Sequence, residues 1–345
     1  VLYLPPLYYY VLAGLNFIFP IVFVGKLFPN LFASLIVIIS YLIAARLTKN
    51  SAARIFTVLM VGFIPILFSE TLNSMSSNSF VLPLVFFTLY CMMRIANHEK
   101  QFIGYFITAL LVLRITTPSV IFLIFALLLY LLFVFVEGLK KSRAEIELIL
   151  FSTFLIIWTL FVGFKNVFLN NGLAILWQNI PQELLKNYFA GTNLLTAIYL
   201  IGIIPFVFGL YTIYRFAFRE KENKTYLLIS FAIVIGLLMW LRLIALNLAL
   251  MLIGVVTALL FAKSYTLLLS KIKNRKLKFM FNILFFLLIV SSSIIPSITL
   301  ASNKIKDAYS NEEIEALAWI KDNTDKEDII LSTLNEGHLI ATVAE

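Results

Sequence analysis

Two arginines interrupt stretches of this sequence that are otherwise almost wholly apolar. Arg242 lies within "MWLRLIALNLAL", and Arg114 lies just before "ITTPS". A charged side chain at mid-bilayer costs about 2.5–3.5 kcal/mol, so it usually faces a cavity or a partner. A guanidinium is permanently charged and binds phosphate through two parallel hydrogen bonds. We therefore predict that both residues bind a lipid phosphate, with snorkelling to headgroups as the alternative for either one.

A carboxylate and an amide share another short polar stretch, "SETLNSMSSNSF". Glu70 and Asn78, with the neighbouring hydroxyls, form a candidate polar or metal site. A divalent cation such as Mg²⁺ or Mn²⁺ prefers oxygen ligands, but one carboxylate and one amide are a weak set for it. The alternative for Glu70 is a helix N-cap or an interfacial acid. Histidine, cysteine and aspartate form no sequence cluster with the spacing of a metal site.

The elements that must position these residues follow from composition. The chain has 345 residues, of which 61% are hydrophobic and 13% are charged. Apolar runs of about 18 residues or more recur along it, which is typical of membrane-spanning helices. The single cysteine, Cys91, excludes an internal disulfide framework. The sequence thus predicts an all-α polytopic membrane protein.

Charged residues divide the apolar runs into about ten predicted transmembrane helices. The predicted spans cover residues 28–47, 52–69, 78–95, 101–117, 119–136, 146–164, 194–214, 225–241, 244–262 and 279–299. The aromatic segment Leu7 to Val24, with its prolines and tyrosines, suits an interfacial helix, and a further span is the alternative. The non-spanning stretch Lys165 to Asn193 suits an amphipathic segment on the outer surface.

Lysine and arginine set the predicted orientation, because they accumulate in cytoplasmic loops. Most of them fall in alternate loops, led by Arg46, Lys49, Arg94, Lys140, Arg215 and Lys271. The opposite side has only Lys26, Arg114, Lys165, Lys186 and Arg242 before the tail. We therefore predict that both site arginines lie at the outer surface. The basic residues flank spans and lack interleaved stacking side chains, so we predict membrane lipids as their partners and no nucleic acid.

A polar, acidic tail follows the last span and must lie outside the cytoplasm. We place the domain boundary at 300, with a membrane domain over 1–300 and a soluble module over 301–345. Ser310 and Glu313 form a capping box that predicts a helix through "EEIEALAWI". The segment "DIILSTL" then predicts a short strand before a turn. The tail is therefore expected to begin a small extracytoplasmic α/β module.

The tail segment "ALAWIKDNTDKEDIILSTLNEGHLI" resembles a region of known enzymes. It is similar to the segment after the last membrane helix in the catalytic subunit of oligosaccharyltransferase and its archaeal relatives. The matching residues are Trp319, Ile320, Lys321, Asn323, Thr324, Asp328, Ile330, Leu331, Gly337 and Ile340. Near the start, "YLPPLYYYVLAGL" looks like the Pro-Pro-Leu segment that closes the first outer loop of GT-C membrane glycosyltransferases. The resemblance covers nearly the whole chain, and its motifs are moderately specific.

The resemblance implies transfer of a sugar from a polyprenyl (dolichyl) phosphate carrier to a protein or glycan acceptor. The reaction would occur at the outer face of the plasma membrane, in protein glycosylation or another cell-envelope pathway. Arg242 corresponds in position to an arginine that holds the leaving phosphate in relatives. The family's catalytic aspartate belongs to the first outer loop, and we expect it to precede Val1, so the catalytic residue stays unknown.

The acceptor side departs from the family pattern. Oligosaccharyltransferase has Trp-Trp-Asp-Tyr-Gly there, whereas this chain has "TLNEG". The indole wall and the carboxylate that read an Asn-x-Ser/Thr peptide are both missing, so we predict a different acceptor. Asn335, Glu336 and His338 are the candidate acceptor-side residues.

Two other classes of function fit parts of the sequence. A polymerase or ligase of lipid-linked glycans would use the same substrate, but usually with a large, basic outer loop between late spans. A lipid flippase or transporter would use intramembrane arginines to line a path, with repeats and interrupted helices near the midplane. The sequence shows neither repeats nor interrupted helices, so we expect continuous spans. A structural membrane protein whose tail binds a partner is the remaining alternative.

Overall fold

The structure, a computed structural model, describes residues 7–72, 74–172, 193–306 and 311–324. These residues are mostly helical and include no β-strand. The chain divides into two compact units, Val1–Thr299 and Leu300–Glu345. The described residues of the larger unit confirm the prediction of a helical protein.

The first half of the larger unit contains eight of its described helices. In chain order these are α1 (Leu7–Asn16), α2 (Ile21–Leu47), α3 (Ser51–Gly62), α4 (Pro65–Thr71), α5 (Asn78–Ala96), α6 (Phe102–Thr116), α7 (Ile121–Val136) and α8 (Arg143–Asn171). A 3₁₀ turn, Pro118–Val120, precedes α7.

The second half of the chain contributes the remaining described helices of the larger unit. They are α9 (Leu194–Ile201), α10 (Ile203–Phe218), α11 (Asn223–Trp240), α12 (Leu246–Lys271), α13 (Arg275–Ile289) and α14 (Ile295–Lys306). A π-helical turn, Val290–Ile294, joins α13 to α14 without a break. The last described helix is α15 (Asn311–Asn323).

The described residues hold seven helices that are long and apolar enough to cross a membrane. Two further spans result if each of two bent helix pairs counts as one, which gives up to nine. The structure therefore supports a membrane protein with fewer spans than the ten we predicted. The difference is α6, predicted as the span 101–117, which has 15 residues where crossing the hydrocarbon core takes about 20.

The N-terminal boundary also differs from the prediction. We placed an interfacial helix over 7–24 and a span over 28–47, but α2 already begins at Ile21. Pro20 occupies the position before the helix, where it suits a helix start, and Pro29 is accommodated inside α2. The Asn30 side-chain amide donates a 2.7 Å hydrogen bond to the Lys26 carbonyl beside that proline. The interfacial prediction therefore applies only to α1 and the turn that follows it.

Helix α12 is the centre of the larger unit. Within its most apolar window, 83% of the residues are buried, and α12 contacts α2, α3, α4, α9, α10 and α11. Its closest approach is to α10, where Gly209 faces Thr257. The Thr212 hydroxyl of α10 also donates to the Leu260 carbonyl of α12 at 3.1 Å. Small residues bring helix backbones together in membranes, and this pair follows that rule.

A buried carboxylate fixes the start of α8 against α7. The Ser142 hydroxyl accepts from the Glu145 backbone N–H at 3.1 Å, and the Glu145 carboxylate accepts from the Ser142 N–H at 3.3 Å. This is a capping box, which satisfies two N–H groups at a helix start. The same carboxylate accepts a 2.5 Å hydrogen bond from the Tyr130 hydroxyl of α7. Both side chains are almost fully buried, so the pair holds the two helices in register.

The described part of the smaller unit contains the predicted helix. Helix α15 carries Glu312 and Glu313 in its first turn and Lys321 in its last, which suits the helix dipole. Ser310, the predicted cap, and "DIILSTL", the predicted strand, lie outside the described residues. The described residues thus support a helical start for the tail but give no support to an α/β module.

Candidate functional site

Arg242 lies at the point where α11 ends, and its backbone is left-handed with a φ of 56°. The Leu243 N–H donates to the Leu238 carbonyl at 2.8 Å, and the Arg242 N–H donates to the Met239 carbonyl at 3.1 Å. This pair of bonds defines a Schellman motif, in which the residue at the Arg242 position is usually glycine. The left-handed conformation costs a side-chain-bearing residue about 1–2 kcal/mol. Arginine at this position is therefore locally unfavourable.

The Arg242 side chain is exposed among apolar neighbours that are exposed as well. Trp240 is 79% exposed, and Leu241 and Leu243 are each about half exposed. Arg242 takes part in none of the side-chain hydrogen bonds or ion pairs found among the described residues. The end of this apolar helix thus combines a cation with exposed indole and leucine side chains. Such a surface is complementary to an amphipathic ligand. The apolar surface would contact a lipid tail, and the guanidinium would contact an anionic head.

A second Schellman motif in the chain offers a comparison. His98 follows α5 in left-handed backbone with a φ of 68°. The His98 N–H donates to the Ile95 carbonyl, and the Glu99 backbone N–H donates to the Arg94 carbonyl, which is the same pair of bonds. Gly138, after α7, takes the equivalent position with the residue that the motif favours. His98 and Arg242 are thus the two described residues other than glycine with a positive φ.

Arg114 has a different environment from Arg242, because it is 7% exposed. Its Nη2 donates a 3.0 Å hydrogen bond to the Thr159 carbonyl of α8. Gly163 lies one turn further along α8, and a Cβ atom there would come within 3.1 Å of the same Nη2. Glycine therefore leaves room for the guanidinium to reach the α8 backbone. This contact holds α6 against α8, a role that the sequence did not reveal.

We expect Arg114→Ala to destabilise the protein, because it removes a charge-assisted hydrogen bond and a buried side chain. The free energy of unfolding should fall by about 1.5–3 kcal/mol, measured by denaturant titration in detergent. Arg143→Ala is the matched control, since the Arg143 side chain is 91% exposed. Equal stability of the two variants would show that the Arg114 contact does not hold α6 and α8 together.

The two arginines that the sequence predicted to act together lie at the ends of two different helices, α6 and α11. Helix α6 packs mainly on α5 and also on α8, whereas α11 packs on α7 and α12. Arg114 is buried against α8, and Arg242 is exposed beyond the end of α11. The prediction that both residues bind a lipid phosphate stays a prediction, and Arg242 is the more exposed of the two.

Glu70 and Asn78 lie on neighbouring helices. Glu70 is near the end of α4, and Asn78 is the first residue of α5, where its N–H donates to the Ser76 hydroxyl at 3.3 Å. Among the described residues, no group of three His, Cys, Asp or Glu side chains could hold a metal ion. The metal prediction for Glu70 and Asn78 therefore stays a prediction. Asn335, Glu336 and His338 lie outside the described residues.

Two helix interruptions were missed by the sequence analysis. Helices α3 and α4 bend by 48° at Phe63 and Ile64, because Pro65 disfavours helical backbone in the residue before it. Helices α9 and α10 bend by 96° at Gly202, whose φ is 97°. Our expectation of continuous spans was therefore wrong at these two places. The signals were present as "FIP" and "GIIP", but apolar runs of normal length concealed them.

Buried hydroxyls gather at these interruptions. Ser297 donates to the Phe63 carbonyl at 2.8 Å, at the bend between α3 and α4. Ser293, in the π-helical turn, is fully buried, and its hydroxyl lies 3.2 Å from where a Cβ of Gly202 would be. The Ser292 and Ser293 hydroxyls have no hydrogen-bond partner among the described residues. Interrupted helices and π turns in membrane proteins often mark functional regions.

Comparison with known proteins does not identify a family for this chain. No protein-family model matches the chain, and no curated protein matches its sequence. The assignment of function therefore depends on the chemistry of the described residues.

Proposed function

We propose that this chain is an integral-membrane glycosyltransferase that moves a sugar from a polyprenyl phosphate carrier to an acceptor at the outer membrane face. The observation that carries the proposal is Arg242, a permanent cation at a position that favours glycine. A residue retained in a strained conformation suggests a functional need for its side chain. The exposed Trp240, Leu241 and Leu243 around it suit the isoprenoid tail of such a carrier.

The proposed role of Arg242 is electrostatic. When the glycosidic bond to the carrier breaks, negative charge grows on the phosphate oxygens of the leaving group. A fixed guanidinium that hydrogen-bonds those oxygens stabilises the transition state more than the ground state. As the family resemblance implies, an aspartate of the first outer loop would be the general base that accepts the proton of the acceptor. Phosphate binding by Arg114 stays a prediction, since its described contact is to α8.

The test of the function uses the full-length protein in detergent or liposomes. Polyprenyl phosphate carrying a radiolabelled sugar should lose its label to an aqueous or acceptor-bound product, with free polyprenyl phosphate left in the lipid phase. A parallel reaction with a chelator tests the metal prediction for Glu70. If the labelled carrier stays intact with every class of acceptor tried, the enzyme assignment is wrong.

The bent helix pairs favour a second candidate, a lipid flippase or transporter. Transporters bind substrates at interrupted helices, where unwound backbone offers hydrogen-bonding groups. The bend at Gly202 and the buried Ser293 hydroxyl have that character. The liposome assay separates the candidates, because a flippase would move the labelled carrier to the other leaflet with its sugar still attached.

The predicted orientation can be tested with one engineered thiol. Ser310→Cys in a Cys91→Ser background should react with a membrane-impermeant thiol reagent in intact cells. The native Cys91 is fully buried and should react little with the reagent. Its replacement removes any signal that it would still give. Labelling that appears only after the membrane is opened would place the tail in the cytoplasm and reverse the assignment of the outer face.

A further inference from the structure

A cavity of about 460 Å³ lies on the side of the larger unit where α2 and α10 end and α11 begins. The last turns of α12 complete its wall. Its apolar lining includes Leu47, Phe216 and Leu267, and its charged lining includes Lys49, Glu222 and Lys263. The cavity therefore combines the ends of four apolar helices with a charged opening.

The acidic side chains at this cavity are already neutralised by described ion pairs. Glu222 pairs with Lys263 at 2.5 Å and also accepts a 2.7 Å hydrogen bond from Thr225. Glu220 pairs with Arg215. These ion pairs neutralise the negative charge of both carboxylates in the lining.

Lys221, on the cavity rim, has a partner outside the cavity. It pairs with Glu137, the residue that follows α7. The hydrogen bond to Glu137 raises the pKa of the Lys221 ammonium, as a carboxylate partner does for a lysine.

Lys49 is the lysine of the lining that takes part in no ion pair among the described residues. Its backbone is nonetheless well positioned, because the preceding residue, Thr48, is fixed on two sides. The hydroxyls of Thr48 and Thr266 are 2.9 Å apart, and Arg54 Nε donates to the Thr48 carbonyl at 2.9 Å. The cavity therefore presents about one net positive charge from an anchored segment.

We propose that this cavity binds the phosphodiester headgroup of an anionic glycerophospholipid, with Lys49 as the residue that contacts the phosphate. The ends of apolar helices lie at headgroup depth, and basic pockets between helices at that depth bind anionic lipids. The apolar wall formed by Leu47, Phe216 and Leu267 would contact the upper part of an acyl chain. This site is separate from Arg242, and it does not depend on the proposed enzyme activity.

The charge and shape of the cavity favour such a lipid over the other sources of phosphate. A free phosphate ion would leave the apolar wall uncovered. A phosphatidylcholine headgroup carries its own positive charge, which would offset the attraction of Lys49. The predicted ligand therefore has one net negative charge and an attached apolar chain.

The experiment is a titration of the purified full chain with phosphatidylglycerol, followed by native mass spectrometry to count bound lipids. We expect one tightly bound lipid in the wild type. Lys49→Gln should bind it about fivefold more weakly, as one lysine at a membrane surface contributes about 1 kcal/mol. Lys49→Arg, which keeps the charge, should retain most of the affinity. Lys276→Gln is the matched control, because Lys276 is exposed at the start of α13 and does not line the cavity.

Three results would overturn the proposal. Equal affinity of wild type and Lys49→Gln would show that Lys49 does not contact the lipid. Equal binding of phosphatidylcholine would show that charge does not select the ligand. Displacement of the lipid by millimolar inorganic phosphate would identify a free anion as the occupant. A thermal unfolding curve of each variant without lipid separates loss of binding from loss of folding.

Discussion

Arg242→Gly should reduce sugar transfer by about 100-fold or more while leaving the protein at least as stable as the wild type. The expected loss is that of one preorganised donor to a developing phosphate charge. The expected stability follows from the Schellman motif, where glycine adopts the left-handed backbone without the steric cost of a side chain. The measurements are single-turnover sugar release from the lipid-linked donor and the thermal unfolding midpoint.

His98→Gly is the matched control for this experiment. It makes the same change in the same motif, with the same relief of a positive φ, but at the end of α5. Its sugar transfer should equal that of the wild type, and its stability should rise by a similar small amount. If Arg242→Gly transfers sugar at the wild-type rate, Arg242 does not stabilise the leaving group, and the proposed function loses the observation that carries it.

Gly209→Ala should destabilise the bundle by about 1–3 kcal/mol, the usual cost of overpacking a close contact. A Cβ atom at Gly209 would lie 2.6 Å from the Thr257 Cβ and 2.8 Å from its Cα. The second distance involves backbone, so a side-chain rotation cannot relieve the clash and α10 must move away from α12. The free energy of unfolding by denaturant titration in detergent measures the effect.

Gly236→Ala on α11 is the control, because a Cβ there meets no atom within 4 Å. Alanine favours helix over glycine by about 1 kcal/mol, so this variant should be neutral or slightly stabilised. If both glycine variants had the same stability, the α10–α12 contact would not be as tight as the structure indicates.

Most helices could be predicted from the sequence because their signal is local. Runs of apolar residues bounded by lysine and arginine indicated each long helix, including α7, α11 and α12. The predicted ends of helices were less accurate, because each end is set by only a few residues. The start of α2 at Ile21 depends on how Pro20 and Pro29 are accommodated, which hydropathy does not record.

The two bends could not be predicted from apolar composition. Gly202 and Pro65 each lie within a run of normal length, so the run predicts a span although the backbone turns. A glycine marks one of these bends and a proline marks the other, whereas hydropathy marks neither. Neither residue type is decisive alone, since Pro29 and Pro83 lie inside unbroken helices.

The two arginines show why equal sequence context can give different roles. Arg114 reaches a carbonyl on α8 because Gly163 leaves space there, 49 positions further along the chain. No local pattern predicts such a contact, since it depends on how two helices pack. Arg242 differs because its position depends on the backbone bonds at the end of its own helix, α11. The sequence identified both as unusual but could not distinguish a packing contact from an exposed cation.

The central position of α12 has a consequence for biogenesis. A ribosome makes the N-terminal helices first, yet α2 and α3 pack on a helix that begins only at Leu246. The faces of α2 and α3 that contact this helix must face lipid or an insertion factor until it emerges. Final assembly of the bundle is therefore a late, post-insertion event, and nascent chains that stall before this helix would be substrates for membrane quality control.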